Sequence, residues 1–413
     1  MKKVLIITHL LHASPRIPGL AKYLLEFGWQ PIILTTPIGE DAYSQFRTPK
    51  DFKKTVRVIE THGYSSPYGK KRLASKKYSK IRPFLKFIYK YYREIAQYPD
   101  AEKGWKPFAL KAGNDLLQNE DIEAIVSSSS PVTSHLIAKE LKEKHKIPWV
   151  AELRDLWTQN HNYPYSPLRK FFEKRLEIET LSMADILVAV SSPEAEKLRA
   201  LHKRKRIYTI TNGFDPDEMS DERANLTSKF TITYTGQIYT KQDPSKLLVA
   251  LKGLISDKTL DPTDVEVRFY GPENALLTKQ IQEFGLSDIV KQYGLVPIEI
   301  SLEKQRESQL LLLLKWENLW ERGVYSGKVF EYLAAKRPVL ATGGTDDVIT
   351  ELLNETQAGI DAKSFEDIKN ALAKSYNAYK LKDKVVYQGI AEKINKYSYR
   401  EIAKKLAEVI STC

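Results

Sequence analysis

Short apolar segments alternate with amphipathic segments along most of this chain. In the first half, runs with the character of buried strands are predicted at residues 4–7, 31–35, 56–59, 124–126, 149–152 and 186–190. Segments with the spacing of helices lie between most of these runs, at 19–27, 108–118, 131–145, 167–184 and 193–201. Strands that alternate with helices form parallel sheets covered on both faces, so the pattern predicts an α/β fold.

The alternation stops near Asn212-Gly-Phe-Asp-Pro216 and then begins again, with strand-like runs at 231–235, 265–270, 290–293, 310–314 and 339–342. A chain of 413 residues also exceeds one ordinary domain. We therefore predict two doubly wound, Rossmann-like domains at 1–212 and 213–397, with a C-terminal helix at 398–413 that packs back onto the first. Ligands of such sheets bind beyond the carboxyl ends of the strands, so the cleft across which the domains face each other is the predicted site.

The segment from Tyr325 to Gly344 carries the clearest chemistry in the sequence. Ser326 and Gly327 suit a helix N-cap, where outward backbone N–H groups and partial positive charge bind phosphate. Lys328 adds a full positive charge in the first turn. Glu331 follows one turn later on the same face, where its carboxylate can accept hydrogen bonds from sugar hydroxyls. One helix N-terminus therefore suits a nucleoside diphosphate together with its ribose.

Two places in the first half are candidate ligand contacts. Arg154 and Asp155 follow a predicted strand at its carboxyl end, where side chains reach a ligand site. A substrate contact and a buried structural Arg–Asp pair are both open interpretations, and we predict the contact. Gly19 is predicted to open the first helix, where the missing side chain would let the backbone approach a diphosphate.

The net charge of +12 comes from one segment of the chain. Residues 53–93 contain 13 Lys or Arg and one acidic residue, whereas the remainder holds 51 basic and 51 acidic residues. Aromatic residues are interleaved with the basic ones in 70–93. A solvated loop and helix, a helix at an anionic membrane surface, and a nucleic-acid patch are the three interpretations. No nucleic-acid motif accompanies the segment, so we predict an anionic membrane, and no nucleic acid, as its partner.

Other features of the sequence favour a cytoplasmic protein. The first apolar run is too short for a signal peptide core, and no segment approaches the roughly 18 apolar residues of a membrane span. The single cysteine, Cys413, cannot pair within the chain, which suits a reducing compartment. We predict a cytoplasmic protein that can associate peripherally with the inner face of a membrane.

Several motifs occur together in a fixed order. They comprise the first strand with the loop at 15–22, the strand at 184–192, Ile210-Thr-Asn-Gly-Phe-Asp215, Tyr234-Thr-Gly-Gln-Ile-Tyr-Thr-Lys241, Phe269-Tyr-Gly-Pro272 and the segment 326–344. In this order and spacing they resemble the family 4-type glycosyltransferases of the GT-B fold over nearly the whole chain. The resemblance implies transfer of a hexose from a UDP- or GDP-linked donor, with retention, to a glycan. A lipid-linked glycan or a cell-surface polysaccharide precursor is the expected acceptor.

The resemblance also implies roles for individual residues. Donor-binding residues would be Gly19, Gly236, Gln237, Gly271, Ser326, Gly327 and Glu331, with Glu331 on the ribose. Catalytic residues would be Arg154, Asp155, Lys241 and Lys328, with the two lysines neutralising the departing diphosphate. The spacing of His, Cys and Asp predicts no metal site, and no further cofactor is expected.

The sequence departs from the family pattern at two positions. The first glutamate of the family's Glu-x7-Glu motif would fall on Gly323, and Gln237 stands in place of an arginine. A carboxylate near the sugar is therefore missing or supplied by another residue, such as Glu321. The missing glutamate leaves open a non-catalytic sugar-nucleotide or polysaccharide-binding protein. An epimerase or hydrolase of the same fold is the other alternative.

Overall fold

The structure, a computed structural model, describes residues 1–9, 11, 14–38, 52–62, 91–92, 94–160, 162–163, 165–219, 225–239 and 241–413. The chain divides into two compact units. Unit 1 comprises Met1–Thr211 together with Ala403–Cys413, and unit 2 comprises Asn212–Ile402. Of the basic aromatic segment 70–93, only Tyr91 and Tyr92 lie among the described residues.

Unit 1 contains a parallel sheet with the strand order β3-β2-β1-β4-β5-β6-β7. Its strands are β1 (Lys2–Thr8), β2 (Trp29–Thr35), β3 (Arg57–Glu60), β4 (Ala124–Ser129), β5 (Trp149–Leu153), β6 (Ile186–Ala189) and β7 (Arg206–Thr209). The central strands are buried along nearly their whole length, as expected for a parallel sheet covered on both faces.

Helices connect these strands. They are α1 (Arg16–Leu24), α2 (Phe52–Thr55), α3 (Lys106–Asn119), α4 (Thr133–His145), α5 (Pro167–Ser182) and α6 (Ser192–Leu201). Both α5 and α6 have proline in the first turn, and a serine side chain caps each of them, from Ser166 and Ser191 respectively. These caps satisfy N–H groups that a helix start leaves unpaired.

Unit 2 repeats the arrangement with the strand order β10-β9-β8-β11-β12-β13, also parallel. The strands are β8 (Phe230–Thr235), β9 (Val265–Tyr270), β10 (Val290–Gly294), β11 (Leu310–Leu314), β12 (Val339–Thr342) and β13 (Gly359–Ala362). Its helices are α7 (Ser245–Ser256), α8 (Ala275–Phe284), α9 (Ile298–Arg306), α10 (Gly327–Ala334), α11 (Val348–Thr356), α12 (Phe365–Lys382) and α13 (Ala391–Asn395), and α14 (Tyr399–Ser411) begins in unit 2 and ends in unit 1.

The predicted strands are all present, but two further strands were not predicted. Both lie at an edge of their sheet, where β7 and β13 have alternating or partial exposure rather than full burial. Such strands lack a continuous apolar run, which is the signal that identified the central strands.

The first and last segments of unit 2 lie next to each other and are joined by backbone hydrogen bonds. The Phe214 amide donates to the Tyr397 carbonyl at 3.1 Å, and the Tyr399 amide donates to the Phe214 carbonyl at 2.8 Å. Helix α14 continues from there, and its residues from Ala403 onwards belong to unit 1. Within the described ranges, no helix is long and apolar enough to cross a membrane.

Candidate functional site

Two glycines lie against each other where the neighbouring strands β8 and β9 end. The Gly236 amide donates to the Tyr270 carbonyl at 2.6 Å, and Gly236 has a φ of +93°, which disfavours other residues. A Cβ atom on Gly271 would lie 2.3 Å from the Gly236 carbonyl oxygen. Glycine is therefore required at both positions, because the two backbone segments approach each other closely at the carboxyl edge of the sheet.

Helix α10 places Lys328 over this glycine loop. The helix begins at Gly327 after an extended Ser326, as predicted, although Ser326 makes no capping hydrogen bond through its side chain. The Lys328 Nζ lies 3.4 Å from the Gln237 carbonyl and 5.2 Å from the Tyr234 ring centroid. Burial lowers the pKa of Lys328, and the Glu331 carboxylate opposes this effect. The structure thus brings the predicted residues of the loop and of the helix start together.

Glu331 is held in place by a side chain from a neighbouring helix. Gln305 of α9 donates from Nε2 to a Glu331 carboxylate oxygen at 3.2 Å and to the Thr235 hydroxyl at 3.1 Å. Thr235 is the last residue of β8, and its amide donates to the Tyr332 hydroxyl at 3.2 Å. The carboxylate is therefore oriented at the same strand end as the glycine loop.

A buried carboxylate accompanies the other predicted lysine. The Lys241 Nζ lies 3.1 Å from a Glu321 carboxylate oxygen. The Glu321 side chain is only 2% exposed, whereas that of Lys241 is 51% exposed. The second Glu321 oxygen has no hydrogen-bond partner among the described residues. Glu321 thus supplies negative charge two residues before Gly323, the position at which the family motif would place its first glutamate.

Another buried cation stabilises the loops after β11 and β12. Lys315 is 3% exposed and contacts Asp361 at 2.9 Å, Asp347 at 3.1 Å and the Thr345 carbonyl at 2.8 Å. Two carboxylates compensate for the burial of one ammonium, so we assign this cluster a structural role.

Arg154 and Asp155 follow β5, as predicted, but they have different environments. The Arg154 guanidinium donates to the Ser129 carbonyl at 2.9 Å and to the Ser130 carbonyl at 3.0 Å, and so braces the turn after β4. Asp155 is exposed. The structure therefore leaves Asp155 accessible to a ligand and gives Arg154 contacts with backbone rather than a buried pairing with Asp155.

Asp155 also affects a buried neighbour. Glu194, in the first turn of α6, is 6% exposed, and burial together with the charge of Asp155 raises its pKa to about 8. One Glu194 oxygen lacks a hydrogen-bond partner in the described part of the chain.

We expect the stability of the protein to fall as the pH rises from about 4.5 to about 8. In this window the unfolded chain ionises Glu194, whose ordinary pKa is 4.5, but the folded protein keeps it protonated. Glu194→Gln should remove this contribution, on the order of 5 kcal/mol for a pKa change of this size. Thermal unfolding at pH 5 and pH 9 measures it. The exposed neighbour provides the control Glu196→Gln, and equal pH dependence in both variants would contradict the assignment.

The structure contains a buried ion pair that the sequence did not predict. The Arg16 Nε donates to Glu152 at 2.9 Å, and both side chains are at most 1% exposed. Ser128 donates to the other Glu152 oxygen at 2.6 Å. Burial alone would raise the pKa of Glu152, but Arg16, Ser128 and Arg154 together hold it below its ordinary value. Because Arg16 and Glu152 are 136 residues apart, no local pattern could reveal the pair.

The prediction that Gly19 opens the first helix is wrong. Helix α1 begins at Arg16, and the Gly19 amide donates to the Pro15 carbonyl at 2.9 Å within it. Gly19 is also buried. A helix residue whose amide is already bonded offers no N–H group to a diphosphate, so the physical basis for this binding residue is lost.

No group of three or more His, Cys, Asp or Glu side chains in the described residues could hold a metal ion. The carboxyl edge of the unit 2 sheet carries the ammonium groups of Lys241 and Lys328 together with the start of α10. This edge combines cations, a helix N-terminus and a fixed carboxylate, which together suit a phosphorylated ligand that carries hydroxyl groups.

Solved structures similar to this chain share its fold at low sequence identity. A glycosyltransferase from Rickettsia africae is 16% identical with a TM-score of 0.64, over 100% of this chain and 98% of that one. HepE of Anabaena, solved with UDP and glucose, is 13% identical with a TM-score of 0.66, over 100% of both chains. Sucrose-phosphate synthase of Thermosynechococcus elongatus is 14% identical with a TM-score of 0.64, over 100% and 99%. These similarities establish a GT-B fold with two Rossmann-like domains.

No curated protein sequence matches the chain. Residues 19–218, however, match the sequence profile of Glycosyltransferase Family 4. The profile covers most of unit 1, and the fold covers both units. Residues 19–218 therefore match the family 4 glycosyltransferases by sequence, and the chain as a whole has the GT-B fold.

Proposed function

We propose that this protein transfers a hexose from a nucleoside diphosphate sugar to a glycan or lipid-linked acceptor, with retention of anomeric configuration. The observation that carries the proposal is the start of α10, where Lys328 lies over the Gly236–Gln237 loop and Glu331 follows one turn later. A diphosphate can bind at the helix start while the ribose hydroxyls donate to Glu331.

A UDP-linked donor is favoured over a GDP-linked one. HepE of Anabaena, which shares the fold over its whole length, has been solved with UDP, with UDP and glucose, and with UDP-glucose. We extend this ligand class to the present chain because Lys328 and Glu331 of α10 are suited to bind a diphosphate and a ribose. Isothermal calorimetry with UDP and GDP decides between the two nucleotides.

Departure of the diphosphate leaves negative charge that must be stabilised. We propose that Lys328, Lys241 and the N–H groups at the start of α10 supply this stabilisation without a metal ion. Glu321 fixes the position of the Lys241 ammonium, since its buried carboxylate lies 3.1 Å from it. Asp155, exposed after β5, is proposed to contact the acceptor, with Arg154 bracing the adjacent turn.

One assay separates transfer from the alternatives. Release of UDP or GDP that depends on an added acceptor supports transfer. Release without an acceptor indicates a hydrolase, conversion of the donor sugar indicates an epimerase, and binding without either indicates a non-catalytic protein. We also propose that the acceptor is presented at an anionic membrane that segment 70–93 contacts.

Replacing Glu331 with alanine is expected to weaken nucleotide binding by about 1.5–3 kcal/mol, as for hydrogen bonds to a charged group. The change removes the carboxylate proposed to accept the ribose hydroxyls. Calorimetry with UDP measures the loss, and Glu392→Ala, on α13, is the matched control. Unchanged affinity in a folded Glu331→Ala variant would reject the ribose assignment.

A further inference from the structure

Helix α5 directs large apolar side chains away from the core of unit 1. Leu168, Phe171 and Phe172 are 66%, 53% and 50% exposed. Their spacing of three and four residues places them on one face of the helix. Arg175 continues this face one turn later, with its guanidinium 4.4 Å from the centroid of the Phe171 ring. We call Leu168, Phe171, Phe172 and Arg175 the outward stripe.

The opposite face of α5 is polar and buried, which inverts the usual pattern of a surface helix. Arg169, 6% exposed, donates to Glu173 at 2.6 Å and to the backbone carbonyls of Gln97 at 3.0 Å and Pro99 at 2.8 Å. Tyr163 donates to Glu173 at 2.5 Å. These bonds fix the rotation of the helix, so the outward stripe cannot turn inward without leaving a buried charge unpaired.

Further apolar and basic side chains accompany the outward stripe. The chain at 94–99 is bonded to the start of α5 through Arg169 and Ser166, and Ile95 within it is 76% exposed. Lys174, three residues after Phe171, is exposed beside the stripe. A contiguous apolar group of this kind on a protein surface marks an interaction site.

We propose that the outward stripe docks on an anionic lipid bilayer. Leu168, Phe171 and Phe172 would enter the boundary between headgroups and acyl chains, while Lys174 and Arg175 contact anionic headgroups. A second copy of this chain fits less well, because Lys174 and Arg175 would face the same two cations of the other copy across a two-fold axis. A bilayer offers apolar and anionic groups together. This surface lies on described residues outside segment 70–93, and the proposal holds whatever reaction unit 2 supports.

Vesicle flotation of the full chain tests the proposal. Wild type should bind phosphatidylcholine vesicles that contain phosphatidylglycerol and should not bind pure phosphatidylcholine vesicles. The double variant Phe171→Ser/Phe172→Ser should lose about tenfold or more in partitioning. The matched control, Leu276→Ser/Leu295→Ser, removes two exposed apolar side chains of unit 2 and should bind as wild type.

The basic side chains give a second, independent test. Lys174→Gln/Arg175→Gln should lose about fivefold in partitioning for each cation at low salt, and the difference should shrink as salt rises. Binding by both double variants equal to that of wild type would overturn the proposal. So would a wild-type dimer in light scattering that Phe171→Ser/Phe172→Ser converts to a monomer, without vesicle binding by either protein. UDP affinity, measured in parallel, reports on the donor site separately.

Discussion

Replacing Lys328 with methionine is expected to lower kcat by about 100- to 1,000-fold, the range found when one preorganised donor to a developing negative charge is removed. Methionine keeps an apolar stem near Gly236 and Tyr234 but removes the ammonium that lies over the glycine loop. Charge on the diphosphate grows as the sugar departs, so kcat should fall much more than KM rises. Steady-state kinetics of donor consumption with saturating acceptor measures both constants.

The control for this variant is Lys279→Met, which removes an exposed ammonium from α8. The assay is repeated in excess chelator, because the proposed mechanism assigns the charge to protein groups alone. A rise in KM at constant kcat would show that Lys328 binds the ground state and transition state equally. Loss of wild-type activity in chelator, restored by Mg²⁺ or Mn²⁺, would contradict the metal-free proposal.

The second large effect is expected for stability rather than activity. Arg16→Met should lower the free energy of unfolding by about 3–5 kcal/mol, because it leaves the Glu152 carboxylate buried without its charge partner. Glu152 is fully buried, and among the described residues Ser128 is then the remaining side chain that donates to it at short distance. Urea unfolding followed by tryptophan fluorescence measures the change, since Trp149 lies in the same sheet as Glu152.

A double variant separates loss of the pair from general damage to the site. Arg16→Met/Glu152→Gln removes the uncompensated charge, so it should recover at least half of the stability lost by Arg16→Met alone. If the double variant is as unstable as the single one, the destabilisation comes from lost packing or from the contacts of Arg16 with the Ile210 and Thr211 carbonyls.

Local sequence predicts well those elements whose conformation depends on neighbouring residues, such as buried apolar strands and helix starts. Leu310–Leu314 is apolar throughout and forms the buried strand predicted for it, and Ser326-Gly327 begins a helix as predicted. Residues 359–362, GIDA in sequence, lack this signal because an edge strand is only partly buried. Gly19 was misplaced because Pro18 is tolerated in a first turn, so the helix can start before the glycine.

Pairs of distant residues could not be predicted from local pattern at all. Lys241 and Glu321 are 80 residues apart in sequence. The sequence motifs identified each of them as a candidate site residue but did not indicate that the two side chains contact each other. Gln305, which orients Glu331, looked like an ordinary helix residue. Only the sheet order, which brings the strand ends of unit 2 to one edge, determines these neighbours.

The position of residues 403–413 in unit 1 affects the order in which the protein can fold during synthesis. Unit 2 is contiguous from Asn212 to Ile402, so all of it emerges from the ribosome before the last eleven residues do. Leu406 and Ile410 are buried, at 1% and 2% exposure, and the Thr412 carbonyl accepts a hydrogen bond from Arg206 at 3.0 Å. Most of unit 1 is therefore synthesised before unit 2, but unit 1 can complete its fold only after unit 2 has been synthesised.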